Sequence, residues 1–146
     1  MSLDFRFQAI LNLRKRTEDE RQLELAQALQ AVAALRAQRE RLQNERLRIV
    51  EQLRETLTGF VDVSNIEQRY RYLASLDQRL HHLAEELAQA DEEVLAQRGR
   101  LAEAVKDRRT MEKLKEYDRQ SFLSAFQKKE QEALDDLNVS RFARQM

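Results

Sequence analysis

Thr56-Leu57-Thr58-Gly59-Phe60-Val61-Asp62-Val63-Ser64-Asn65 is the stretch where a chain otherwise suited to helix loses that character. It holds one of only two glycines in 146 residues, among β-branched and short polar side chains that favour turns and caps over helix interiors. Gly59 suits the left-handed conformation that ends many helices. Ser64 followed by Glu67 reads as a capping box, in which each side chain satisfies the other residue's free backbone N–H. Asp62 is a second candidate cap. One helix is therefore expected to end near residue 57 and another to begin near 63 to 65.

On either side of this break, apolar residues recur at steps of three and four. Before it the steps select Leu25, Ala28, Val32, Leu35, Arg39, Leu42, Arg46, Ile49 and Leu53, and seven of these nine are apolar. After it they select Leu73, Leu76, Leu80, Leu83, Leu87, Ala90, Val94, Gln97, Leu101 and Ala104, and nine of these ten are apolar. Such a stripe is the seam of a coiled coil. A connection of about six residues favours antiparallel neighbours. With the turn centred near residue 61, Leu42 faces Leu80, Leu35 faces Leu87 and Val32 faces Ala90. Arg39 and Arg46 then fall opposite Leu83 and Leu76, and are expected to reach out of the seam to Glu85 or Glu86 and to Asp77.

The predicted fold is all-α: a single helical hairpin over residues 1–146, with a helix over 4–57, a turn over 58–64 and a second helix over 64–141. At a rise of 1.5 Å per residue the arms measure roughly 80 Å and roughly 115 Å. The second helix thus overhangs the first by about twenty residues or more, along which Arg108, Lys115 and Asp118 fall on the seam and the heptad decays.

Composition supports helix and excludes several functions. There is no proline, cysteine or tryptophan, and Leu, Ala, Glu, Gln and Arg predominate. Charged residues make up 36% of the chain, but 26 acids balance 26 bases, which suits a solvated helix surface better than disorder. A net charge of zero argues against nucleic-acid binding, which needs excess positive potential. No apolar run is long enough to insert in a membrane, and no signal-peptide core follows the start. A cytoplasmic protein is the simplest expectation. No glycine-rich phosphate loop, nucleophile elbow or zinc spacing occurs, so neither enzymatic activity nor a cofactor or metal site is expected. His81 and His82 point about 100° apart on a helix and cannot clasp one ion. Glu85-Glu86 and Asp135-Asp136 read as solvated charge.

The apolar residues left over are more informative. Phe122, Leu123, Phe126, Leu134, Leu137 and Phe142 lie on the overhang with no evident internal partner, which suggests that another molecule buries them. Phe5, Phe7, Ile10, Leu11 and Leu13 have two readings, packing against the overhang near Leu114 and Tyr117 or docking to a partner.

The opening Phe5-Arg6-Phe7 with Ile10-Leu11-Asn12-Leu13-Arg14, the glycine-bearing loop and Tyr72-Leu73-Ala74-Ser75-Leu76 carry a resemblance. So do Met111-Glu112-Lys113-Leu114-Lys115-Glu116 and Lys129-Glu130-Gln131-Glu132-Ala133-Leu134-Asp135-Asp136. In this order and spacing, nearly end to end, the chain resembles the FliJ family, the small coiled-coil component of the bacterial flagellar type III export apparatus. The resemblance implies an antiparallel hairpin similar to the central stalk of rotary ATPases. It also implies three partners: the hexameric export ATPase FliI, the cytoplasmic domain of the export gate FlhA, and unloaded export chaperones. The setting it implies is cytoplasmic, peripheral to the inner membrane at the flagellar base. Carried over by position, the gate-facing residues are Gln38, Leu42, Ile49, Tyr72 and Leu76. Glu45 stands where the family can show an aromatic, and Arg79 replaces a small residue. For the ATPase ring the candidates are Phe7, Ile10, Phe122, Phe126 and Leu134, chosen mainly as unburied apolar surface. The equivalent stalk of a virulence injectisome and a generic coiled-coil scaffold remain as alternatives.

Overall fold

In the computed structural model, which describes residues 5–59 and 62–145, the chain forms two helices, α1 (Gln8–Leu57) and α2 (Val63–Gln145). The first is the shorter, and contacts between the two make an antiparallel coiled-coil hairpin. Each helix contributes to two compact units, one of residues 21–101 and one of residues 1–20 with 102–146.

The helix ends differ from the sequence expectation for local reasons. The expected start at residue 4 lies outside the described residues. Phe5 to Phe7 form a turn, closed by the Gln8 N–H donating to the Phe5 carbonyl at 2.9 Å, and α1 begins only after it. Of the expected turn over 58–64, residues 60 and 61 lie outside the described residues. Gly59 does not take a positive φ; the end of α1 is closed instead by Thr58, whose N–H and hydroxyl both donate to the Glu55 carbonyl, at 3.3 and 2.8 Å. The cap of α2 is Asp62, whose carboxylate accepts from the Ser64 N–H at 3.1 Å. Since α2 starts at Val63, Ser64 already sits in its first turn and cannot form a capping box with Glu67. At its far end α2 runs to Gln145, past residue 141.

Within the unit of residues 21–101, the two heptad stripes bury each other. Ile49, Leu53 and Leu76 form one cluster, against which Leu42, Ile66 and Leu73 pack. Val32, Leu87 and Val94 form a second, with Leu25, Ala28, Leu35 and Ala90 around it. Each fully buried leucine contributes about 1.5–3 kcal/mol. Polar side chains bracket the seam: Arg69 donates to Gln52 at 3.1 Å, Arg46 to Asp77 at 2.6 Å, and Arg36 stands 3.9 Å from Asp91. Arg46 therefore takes the acid expected of it. Arg39 has no ion pair to Glu85 or Glu86 among the described residues, and His81 and His82 lie 3.3 and 2.9 Å from those two carboxylates. Gln97 is a polar interruption of the core. Its Nε2 donates to Glu93 at 2.7 Å, and its buried Oε1 has no partner among the described residues, which costs about 1–3 kcal/mol.

In the unit of residues 1–20 and 102–146, Phe5, Leu11 and Ala104 are buried. The seam between them is polar: Glu18 accepts from Arg108, which also donates to Glu112 at 2.8 Å. Those two hydrogen bonds hold the Arg108 guanidinium above its already high ordinary pKa, so it stays charged at every accessible pH. A half-buried ion pair at a seam position fixes register more than it stabilises. Arg14 lies 3.6 Å from Asp107 and Arg6 3.9 Å from Asp118. Because α1 begins at Gln8, no length of it lies opposite the α2 residues that follow Asp118.

Candidate functional site

Two surfaces collect the residues singled out by sequence. The first is in the unit of residues 21–101. Gln38 and Leu42, one turn apart on α1, border a groove of about 250 Å³ whose other wall is Arg79, His82, Leu83 and Glu86 of α2. The groove exists because two packed cylinders leave a furrow on each side of their seam, and its floor is the edge of Leu42 and Leu83. Tyr72 lies on a flank of α2, where its hydroxyl donates to the Glu45 carboxylate at 2.5 Å. Glu45 also meets Arg48 at 3.2 Å. The hydrogen bond to Glu45, and then partial burial, raise the Tyr72 pKa above its ordinary 10.0. Ile49 and Leu76, by contrast, are core residues, and Leu76 has no exposed surface at all. Of the five candidates named from the resemblance, Gln38, Leu42 and Tyr72 thus have solvent-facing atoms, while Ile49 and Leu76 lie beneath the surface.

The second surface is at the end of α2. Phe126 and Leu134 are 52% and 55% exposed, Phe122 is half-buried, and Leu123, Leu137 and Phe142 are exposed too. Phe122, Leu123, Ala125, Phe126 and Lys129 line a shallow, mainly apolar depression of about 590 Å³. At about 100° per residue, Phe122, Phe126, Ala133, Leu137, Leu123 and Leu134 fall within an arc of about 120°, so they form one face. Phe7 and Ile10 belong to the start of the chain. Phe7 is half-buried, edge-on to Phe5 with ring centroids 5.8 Å apart, and the Arg6 guanidinium lies 5.0 Å from its ring centre. Ile10 is exposed, whereas Leu11 beside it is buried. Of the N-terminal apolar residues, Phe5 and Leu11 are thus buried within the chain, while Ile10 and Leu13 keep exposed surface.

No group of three or more His, Cys, Asp or Glu that could hold a metal ion occurs among the described residues, and no helix among them is long and apolar enough to cross a membrane. Three features escaped the sequence reading: the Tyr72–Glu45 hydrogen bond, the Glu18–Arg108–Glu112 network and the unpaired Gln97 acceptor. The first two depend on which of several nearby charges a long side chain selects, and heptad spacing does not encode that choice.

The family model described as flagellar FliJ protein matches residues 3–146. Among solved structures, a proposed YscO homologue from Chlamydia trachomatis has a similar fold, with a TM-score of 0.64 at 15% identity, covering 100% of this chain and 99% of that one. No curated protein matches the chain.

Proposed function

Because the chain belongs to the flagellar FliJ family, we propose that it is a non-enzymatic, stalk-like adaptor of the bacterial flagellar type III protein export apparatus, coupling the export ATPase ring to the export gate. The observation that carries this reading is the exposed apolar face at the end of α2. Six apolar side chains on one side of a helix are a poor surface to leave in water and a good one to bury in a partner.

On this reading Phe7, Ile10, Phe122, Phe126 and Leu134 meet a FliI-like ATPase hexamer. Gln38, Leu42 and Tyr72, supported by Ile49 and Leu76, meet the cytoplasmic domain of a FlhA-like gate. Unloaded export chaperones are a third class of partner. The work is done at the cytoplasmic side of the flagellar base, without insertion in the membrane. One chain with one apolar face cannot touch six ring subunits alike. The unequal contacts bias the subunits toward different nucleotide states, and that difference is the free energy through which an adaptor couples two machines.

The equivalent stalk of a virulence injectisome would share this architecture, but the family match is to the flagellar protein. A straight parallel scaffold does not fit a chain that reverses on itself. The test is a pull-down of the export ATPase by the purified chain. The wild-type chain is expected to retain the ATPase, and Phe122→Ser with Phe126→Ser to lose it while still binding the gate domain. Equal retention of the ATPase by both chains would refute the assignment of this face.

A further inference from the structure

Past Phe122, the apolar residues at the end of α2 do not continue the face that packs against α1. Steps of three and four carry the buried side of α2 through Leu76, Leu83, Leu87, Val94, Gln97 and Ala104. Extended past Phe122 they select Ala125, Lys129, Glu132 and Asp136, all exposed and three of them charged. The apolar side chains fall one position later, at Leu123, Phe126, Ala133 and Leu137, so the face has turned by about 100° around the helix. A lengthened first arm would not cover it. It is shaped for something else.

The charges on this stretch have an order that is complementary to its own reverse. In Phe126-Gln127-Lys128-Lys129-Glu130-Gln131-Glu132-Ala133-Leu134-Asp135-Asp136-Leu137, the two bases lie toward the first apolar anchor and two of the four acids precede the last, with Glu130 and Glu132 between them. A second copy laid parallel and in register sets base beside base and acid beside acid. Laid antiparallel, it sets base beside acid.

We propose that the end of α2 is a self-association surface, where two copies of the chain pair antiparallel, with Phe126 of each against Leu137 of the other and Lys129 of each beside Asp136 of the other. In heptad terms Leu123, Phe126, Glu130, Ala133, Leu137 and Ser140 are the seam, and Lys129 and Asp136 are its flanks. With Phe126 level with its partner's Leu137, Lys129 and its partner's Asp136 lie within about 3 Å along the axis, within reach of an ion pair. The two-fold relation makes every such contact twice. Glu130 falls opposite Ala133, where it weakens the pair and leaves it exchangeable. Self-pairing covers Phe126, so a chain paired in this way cannot offer that residue to the ATPase. The pair is a storage form that docking must displace.

Sedimentation equilibrium of the full chain over a wide concentration range tests this. The mass is expected to rise from the 17.3 kDa of one chain toward twice that value. Phe126→Ser holds the monomer mass, and Glu130→Leu tightens the pair. Lys129→Asp alone and Asp136→Lys alone each weaken association roughly tenfold, since two ion pairs become two repulsions, and the double exchange restores it. All four positions are exposed, and circular dichroism checks that helicity is kept. A wild-type chain that stays at the monomer mass overturns the proposal, and a double exchange as weak as the single ones overturns the antiparallel register. A monomeric chain that still retains the ATPase would refute self-pairing alone, leaving the proposed function standing.

Discussion

Leu76 is fully buried and Leu134 is more than half exposed, although both are leucines at apolar positions of the same helix. Truncating them separates scaffold from surface. Leu76→Ala removes contacts to Ile49 and Leu53 and is expected to destabilise the fold by about 2–5 kcal/mol. Leu134→Ala should change stability by no more than about 0.5 kcal/mol. Urea unfolding of the two variants checks this, and equal losses would contradict the burial pattern. Tyr72 offers a second check at this scale. Its pKa is raised, so the hydroxyl bound to Glu45 persists as pH climbs past the ordinary tyrosine value and is lost only above the folded one. In a chain carrying Tyr70→Phe and Tyr117→Phe, the phenolate absorbance of Tyr72 should therefore appear above pH 10.0. Glu45→Gln should lower that midpoint, and an unmoved midpoint would remove Glu45 as the cause.

Helix ends show how far sequence reading reaches at the scale of elements. The two stripes from Leu25 to Leu53 and from Leu73 to Ala104 were legible because burial repeats every three or four residues, and the structure packs Ile49, Leu53 and Leu76 as that repeat requires. The caps were less legible. Asp62 and Ser64 are equally good capping residues two positions apart, and only the backbone settles which of them precedes the first helical turn. Asp62→Ala should accordingly cost about 0.5–2 kcal/mol, and Ser64→Ala no more than about 0.5 kcal/mol. Thermal unfolding would show the order, and the reverse order would return the cap to Ser64. The candidate surfaces divide in the same way. Phe122, Phe126 and Leu134 stood out as apolar residues without a seam to fill. Ile49 and Leu76, taken from the family resemblance, belong to the core, as their places on the two seam stripes require. The pairing of Arg46 with Asp77 followed from register alone, whereas that of Arg39 did not, with His81 and His82 lying beside the acids within its reach.

At the scale of the whole molecule, the candidate surfaces fall in different compact units: the groove beside Gln38 and Leu42 in residues 21–101, and the apolar face around Phe126 in the unit that holds both chain ends. An adaptor needs two addresses that can be lost separately. Changes at Phe122 and Phe126 should therefore cost ATPase binding and spare the gate, while Leu42→Ser and Tyr72→Ala should do the opposite. The account depends most on the claim that this chain acts on its partner without chemistry of its own. The direct measurement is the ATP hydrolysis rate and ring formation of the purified export ATPase as the chain is added. The account predicts a several-fold rise in rate with more assembled ring, both lost with Phe122→Ser and Phe126→Ser. An ATPase whose rate and assembly are the same with and without the chain would contradict it.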